Sequence, residues 1–470
     1  MAVNPAGRAA VARNRPPAAG RTVVPRRYIR VIGDGEAEAM RVELLTVGDE
    51  LLLGDTINGN AAWLGKRLAE HGVDVTRSVV VGDEADVIVA AVRSALARAD
   101  AVITTGGLGP TYDDLTRDAL AEAAGVALVR DPALERRLHE RAEAAGRELQ
   151  PMAFRMAEVP EGAVLLHNSA GTAPGLRVEL DGGIVYALPG VPFEMRTIMD
   201  EVVLPELAGI AGLPAVARRT LRTAGIWESV VATRLAEVEA MDGVKLAYLP
   251  DPAEVKIRIT VAGTDAEGRL AVVEERVREL LGPVVYGVEA DTLDRVVHRL
   301  LAERSATVAV AESLTGGLIG AELTAMPGSS ATYAGGMVTY ATELKHRLLG
   351  VSDVLLAEHG AVHPDVAAAM AEGVRDRLGA TYGLAVTGVA GPEPQDGNPV
   401  GTVYIGVTGP GNTRTVVRPK LPVPGTGPEI RPVIRRMTVV HALELLRRVL
   451  LGLDAEVETG DAREDREVRG

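Results

Sequence analysis

The chain has 470 residues, 47% of them hydrophobic and 24% charged, the balance of a globular protein long enough for several domains. It contains no cysteine, which excludes disulfides, Cys-ligated zinc and thiol nucleophiles. A formal net charge of −14 with 3% aromatic residues argues against a nucleic-acid partner, because phosphate neutralisation needs surplus Lys and Arg and base stacking needs rings.

No apolar run reaches the roughly 18 residues of a membrane helix, so a cytoplasmic protein that engages no membrane is expected. Residues 1–39 are rich in Arg, Pro and Ala and carry no acid before Asp34, which predicts a disordered extension. Met40 directly precedes a clean strand pattern, so a native start at that methionine is expected. Residues 454–470 are acidic and poor in apolar groups, the pattern of a solvated tail.

Residues 40–215 alternate strand and helix patterns. Strands are predicted at 42–47, 75–81 and 101–105, and helices at 61–71 and 86–99. This order predicts a mostly parallel α/β sheet, whose ligands sit outside the carboxyl ends of the strands. Polar clusters fall at those ends. Thr105-Gly106-Gly107-Leu108-Gly109-Pro110-Thr111 is followed by Asp113 and Asp114. Such glycines let backbone N–H groups approach a phosphate, and one or two carboxylates suit a divalent metal bridging phosphates. A plain glycine turn with Thr111 or Asp114 as helix cap explains the same residues equally well.

Together with Gly48-Asp49-Glu50, Gly171-Thr172-Ala173-Pro174-Gly175 and Leu188-Pro189-Gly190-Val191-Pro192, that loop resembles the N-terminal domain of the CinA family. The resemblance implies a MoaB/MogA-like, molybdopterin-binding α/β fold. It also implies a metal-dependent ADP-ribose pyrophosphatase activity found in some members. By position, Glu50, Asn60, Gly106, Gly107, Asp113 and Glu194 would line the pocket, with Asp113 and Asp114 as metal ligands.

Residues 216–290 read as β-α-β-β-α-β, a small split βαβ, ferredoxin-like α+β domain. Lys245, Lys256 and Arg258 are candidate ligand contacts there, although lysines and arginines on such faces are mostly just solvated.

Residues 291–453 form a further α/β domain. An apolar strand pattern at 307–311 breaks into Glu312-Ser313-Leu314-Thr315-Gly316-Gly317 before a helical segment. Ser313 either caps that helix or serves as a nucleophile beside backbone N–H groups that bind an anion. Tyr340 and Lys345 lie just beyond another predicted strand, at 333–340. A lysine kept neutral by burial acts as a base in Ser–Lys variants of the acyl-transfer site. Further predicted elements are a helix at 365–378, a strand at 382–387, a hairpin from 400–407 and 413–418, and a last helix at 435–451.

Ala311-Glu312-Ser313-Leu314-Thr315-Gly316-Gly317, Gly328-Ser329-Ser330, Val338-Thr339-Tyr340 with Lys345, and Thr387-Gly388-Val389-Ala390-Gly391-Pro392 resemble the C-terminal domain of the CinA family. The two resemblances span nearly all of residues 40–451. The second implies a nicotinamide-nucleotide amidase, which converts nicotinamide mononucleotide and water to nicotinate mononucleotide and ammonia without a cofactor. Ser313 would attack the carboxamide, Lys345 helped by Tyr340 would move the proton, and backbone N–H groups at Thr315, Gly316 and Gly317 would hold the oxyanion. Glu312, Ser330, Thr387, Gly388, Gly391, Arg435 and Arg436 would contact substrate, the two glycines and one arginine, Arg435 or Arg436, through its phosphate. Relatives often carry Lys before the Pro-Val-Gly run, where this chain has Asn398. The implied partners are small nucleotides, nicotinamide mononucleotide and ADP-ribose, and the expected assembly is a homodimer. Two other readings stay open: a non-catalytic protein linked to competence or DNA damage, and a molybdopterin-handling enzyme.

Overall fold

In the computed structural model the described residues are 40–144, 146, 148, 150–209, 216–411, 413–422 and 427–455, the side chain of Asp74 excepted. The predicted extension at 1–39, the junction at 215/216 and most of the acidic tail lie outside them. The chain divides into two compact units, at 214/215.

The first unit is built on strands β1 (Arg41–Val47), β2 (Asp74–Val81), β3 (Ala101–Thr105), β4 (Leu128–Arg130), β5 (Glu158–Pro160), β6 (Val164–Leu166), β7 (Gly175–Leu180) and β8 (Gly183–Leu188). Its main sheet has the order β2-β1-β3-β8-β7-β6. The first four of these strands run parallel, and β7 and β6 are antiparallel to their neighbours. β3 and β8 are buried along their whole length, which is why neither alternates apolar and charged residues. Helices cover both faces. Ile88, Val92, Leu120 and Leu134 pack one core; Leu64, Leu68, Met195 and Ile198 pack the other. The loops after β1, β3 and β8, and the loop before antiparallel β7, therefore lie at the same end of the sheet, the carboxyl end of its parallel strands. The expected mostly parallel α/β sheet is present.

In the second unit, β9 (Val216–Ala224), β10 (Val244–Asp251), β11 (Glu254–Ala262) and β12 (Val285–Val288) form an antiparallel sheet of order β10-β11-β9-β12. Helices Glu228–Glu239 and Ala266–Leu281 pack on it through Val231, Leu235, Leu270 and Val277. This is the split βαβ order read from the sequence. The remaining strands are β13 (Val308–Glu312), β14 (Tyr333–Val338), β15 (Tyr382–Gly388), β16 (Val403–Thr408) and β17 (Arg414–Val417), in the order β14-β13-β15-β16-β17. β13 lies between two parallel neighbours, and β16 and β17 form the expected antiparallel hairpin.

β13 shows how sequence places the site. Its side chains alternate, as every strand's do. Val308 and Val310 enter the core made with helices Leu293–Glu303 and Ile430–Leu451. Ala309 and Ala311 enter the core made with helix Pro364–Leu378. The strand is thus anchored on both faces, and Ser313 emerges at its carboxyl end.

Two boundaries differ from expectation. β14 stops at Val338 because Lys345 Nζ takes the next two carbonyls, of Thr339 and Tyr340. The last helix begins at Ile430 rather than Arg435. Pro432 is tolerated there because in the first turn a missing N–H breaks no intrahelical bond.

Candidate active site

Ser313 is 8% exposed, and its backbone N–H is fixed by the carbonyl of Val386 on β15 at 3.1 Å. Lys345, on helix Thr342–Leu349, is fully buried. Its Nζ donates to Ser313 Oγ at 3.2 Å, to the Thr339 carbonyl at 2.8 Å and to the Tyr340 carbonyl at 3.4 Å. Burial disfavours the ammonium and lowers its pKa from 10.5 to about 8, although nearby Glu343 opposes the shift. A fraction of the amine is therefore neutral near pH 7. In that state the contact reverses, and the serine hydroxyl donates to the nitrogen lone pair.

The turn carrying Ser313 is braced on two sides. Glu312, 2% exposed, accepts from the N–H groups of Gly317 at 2.8 Å, Ile319 at 3.1 Å and Gly320 at 2.9 Å. A carboxylate of the protein itself thus fills the anion site that the start of helix Leu318–Thr324 offers. Gly316 and Gly317 have φ of +60° and +99°, which the reversal requires and other residues rarely adopt. From the opposite side Arg435 donates through Nε to the Leu314 carbonyl at 3.1 Å and through Nη2 to the Thr315 carbonyl at 2.7 Å.

Several expectations change in consequence. Glu312 holds backbone instead of facing substrate. Gly316 N–H donates to the Ser313 carbonyl at 3.1 Å and Gly317 N–H to Glu312, so neither can serve an oxyanion. Thr315 is fully buried, and its Oγ1 has no partner among the described residues. Ser330 is exposed on the short helix Ser329–Ala331 and is not part of the cavity wall. Arg436 pairs with Glu322, and Arg435 with the turn; neither lines the cavity. Tyr340 meets Lys345 only through its carbonyl, while its hydroxyl accepts from Arg431 Nη2 at 2.6 Å. The phenol is thus bonded to an arginine and does not sit between Lys345 and Ser313 as a relay.

Ser313, Lys345, Tyr340, Thr387, Gly388 and Gly391 do line one cavity of about 280 Å³. Thr387 Oγ1 donates to the Ala361 carbonyl at 2.7 Å, which ties β15 to the segment before helix Pro364–Leu378. Asn398 Nδ2 reaches the Val362 carbonyl at 3.4 Å. Arg431, which the sequence reading passed over, completes the wall. Its Nη1 donates to the Gly391 carbonyl at 2.6 Å. An Ile-Arg-Pro helix start was the one signal that would have found it.

The four polar loops of the first unit also converge. Gly106 N–H donates to the Leu188 carbonyl at 3.1 Å, and Asn60 Nδ2 to the Gly190 carbonyl at 2.7 Å. Asn60 Oδ1 is buried with no partner among the described residues. Glu50 is exposed on helix Asp49–Leu52. Glu194 accepts from Asn168 Nδ2 at 2.8 Å. Gly107 turns with φ of +65°, packed where a Cβ would lie 2.3 Å from Thr116 Oγ1. The predicted metal pair does not fit a metal. Asp114 accepts from Gly109 N–H at 2.8 Å, Thr111 N–H at 2.7 Å and the Thr111 hydroxyl, so the loop's own donors occupy both its oxygens. Asp113 is exposed. No three His, Asp or Glu side chains converge as metal ligands among the described residues.

Fold and site together define a multidomain α/β protein with a buried Ser–Lys pair at a strand end. Comparison with known proteins places it. Residues 290–450 match the CinA C-terminal domain, 43–209 a probable molybdopterin binding domain, and 218–287 the KH domain of damage-inducible protein CinA. A CinA-like protein of Frankia casuarinae is 54% identical over 427 residues, covering 88% of this chain and 97% of that protein. A putative competence-damage inducible protein of Symbiobacterium thermophilum is 44% identical over 429 residues, covering 88% and 99%. Among solved structures, the protein CinA of unknown function from Thermoplasma acidophilum is 39% identical, covering 36% of this chain and 98% of that one, with a TM-score of 0.33. The chain belongs to the CinA family. No helix among the described residues is long and apolar enough to cross a membrane.

Proposed function

We propose that the last domain hydrolyses a carboxamide, converting nicotinamide mononucleotide and water to nicotinate mononucleotide and ammonia. The observation that carries this reading is Lys345 Nζ, buried, with its pKa lowered to about 8, 3.2 Å from Ser313 Oγ. Neutral Lys345 takes the Ser313 proton as Oγ attacks the amide carbon. The C–N bond then breaks, the lysine proton leaves with ammonia, and an ester to Ser313 remains. Water attacks the ester, giving a proton to Lys345, which returns it to Oγ as the C–O bond breaks. With the N–H groups of Gly316 and Gly317 occupied, that of Leu314, which lines the cavity, is the oxyanion donor next in sequence to Ser313.

Rapid-quench mass spectrometry tests the covalent path. A mass increase on Ser313 during turnover supports it; full activity with no adduct points to direct attack by water.

A second part of the reading, metal-dependent ADP-ribose hydrolysis in the first domain, has weaker support. The converging glycine loops and the unpartnered Asn60 Oδ1 favour a bound nucleotide or pterin. The occupied Asp114 argues against the metal. Incubation with ADP-ribose, with and without Mg²⁺, separates hydrolysis from binding alone. The relatives' names suggest a competence or damage-inducible role; absence of turnover on every nucleotide tried would favour that role. A cytoplasmic homodimer completes the proposal, and sedimentation tests the dimer.

A further inference from the structure

Lys245, Lys256 and Arg258 of the middle domain fall on one surface. Strands β9, β10 and β11 turn alternate side chains to opposite faces. Leu221, Leu246 and Ile257 pack under the two helices, and Arg219 reaches Glu274 on helix Ala266–Leu281 at 3.3 Å. Arg218 and Arg222 on β9, Lys245 on β10, and Lys256 and Arg258 on β11 are one residue out of step with these. All five therefore occupy the face that the helices leave free. The last domain packs at one end of this sheet, through Ala224 and Tyr286, while Lys245 and Ala247 stay exposed.

Register sets the cations in rows. Lys245, Thr260 and Arg218 are cross-strand neighbours. So are Ala247, Arg258 and Thr220, and then Leu249, Lys256 and Arg222. Each row carries at least one cation, and successive rows lie two residues apart, about 7 Å. The nearby acids are engaged. Asp251 pairs with Lys256 at 3.5 Å, Glu289 accepts from the Thr220 N–H at 2.9 Å, and buried Glu254 accepts from the Tyr286 hydroxyl. Lys245 and Arg258 have no ion pair or hydrogen bond among the described residues, in a chain with 64 acidic residues against 50 basic ones.

We infer that this face docks an extended acidic segment of a partner protein, with a carboxylate at every second residue over three such positions. An extended peptide repeats its side chains on one side at the same pitch of about 7 Å as the rows. Arginine forks take carboxylates through paired, charge-assisted hydrogen bonds. No aromatic ring stands in the three rows, so bases would find nothing to stack on, and a peptide fits better than a nucleic acid. The inference does not depend on the amidase reading.

Fluorescence anisotropy on the full chain at low salt tests it with three labelled probes. These are a peptide of alternating Glu and Ala, a peptide of the same composition with its Glu in one block, and oligothymidylate. The alternating peptide is expected to bind most tightly and to weaken as salt is added. Arg258→Glu should cost about tenfold in its affinity. Lys245→Gln, on an exposed side chain, should show a smaller loss in the same direction and carries the test should Arg258→Glu not fold. Arg299→Glu makes the same charge change on the exposed side of helix Leu293–Glu303 and should leave binding as it is. Absence of binding by wild type overturns the inference, as does an equal loss in Arg299→Glu, which would reduce the effect to net charge. Equal affinity for the blocked peptide removes the row spacing as its basis. Tighter binding of oligothymidylate makes this a nucleic-acid surface and overturns the peptide assignment.

Discussion

Ser313 and Lys345 are 32 positions apart in sequence, yet Nζ lies 3.2 Å from Oγ with both side chains buried. Three pieces of local chemistry bring them together: β13 ends at Glu312, β14 ends early, and helix Thr342–Leu349 points its lysine back beneath the turn.

The first consequence is a pH profile. Only neutral Lys345 accepts the serine proton, and its neutral fraction grows as pH rises toward about 8. Ammonia release per unit enzyme, as kcat/KM, is expected to rise about tenfold per pH unit below that point and to level off above it. A profile flat from pH 6 to 9 would remove Lys345 as the base.

Stability should show the same group with its own sign. The folded pKa of about 8 lies below the ordinary 10.5, so between these values the unfolded chain binds more protons and stability rises with pH. The ionisation penalty is fully present below about pH 8 and is relieved toward pH 10.5, a span of about 3 kcal/mol. Urea titrations across that window should show the slope in wild type and its loss in Lys345→Met. Parallel curves for the two proteins would mean the amine is better solvated than its burial indicates.

Glu312 should matter through the turn it holds. Glu312→Ala leaves three N–H groups without their acceptor, and about 3 kcal/mol of stability is expected to go with it. Activity falls as well, because Ser313 is the next residue. Glu312→Gln keeps an acceptor oxygen and should lie between. Unfolding midpoints for the three proteins check the order.

In the first unit, Gly171 leaves no room for a side chain: an added Cβ would stand 1.9 Å from Glu194 Cδ. Gly171→Ala must displace Glu194 and break its bond from Asn168, at a cost of about 1–3 kcal/mol. Calorimetry should register this without any change in ammonia release, since the Ser–Lys pair belongs to the other unit. Equal unfolding temperatures would show that Glu194 has another place to go.

Much of this was legible from residues alone. Alternating strand and helix patterns predicted both α/β sheets, and the β-α-β-β-α-β order predicted the middle domain, because strand burial and helix period are local signals. Ser313 and Lys345 were legible as a pair only as far as strand ends could be guessed. The arginines were misassigned for a physical reason. The last helix was expected to start at Arg435; it starts at Ile430, which brings Arg431 into its first turn. Glu312, Asp114 and Gly317 misled in another way. A carboxylate or N–H group near a glycine turn looks equally ready for a ligand or for its own backbone, and only the fold tells which it meets.

The central claim is that Ser313 and Lys345 together hydrolyse the amide. Its most direct measurement is ammonia release from nicotinamide mononucleotide at pH 8 by wild type, Ser313→Ala and Lys345→Met. Steady turnover by wild type and a loss of about 10³-fold or more in each variant is the expected result. Near-normal release by Ser313→Ala would contradict it.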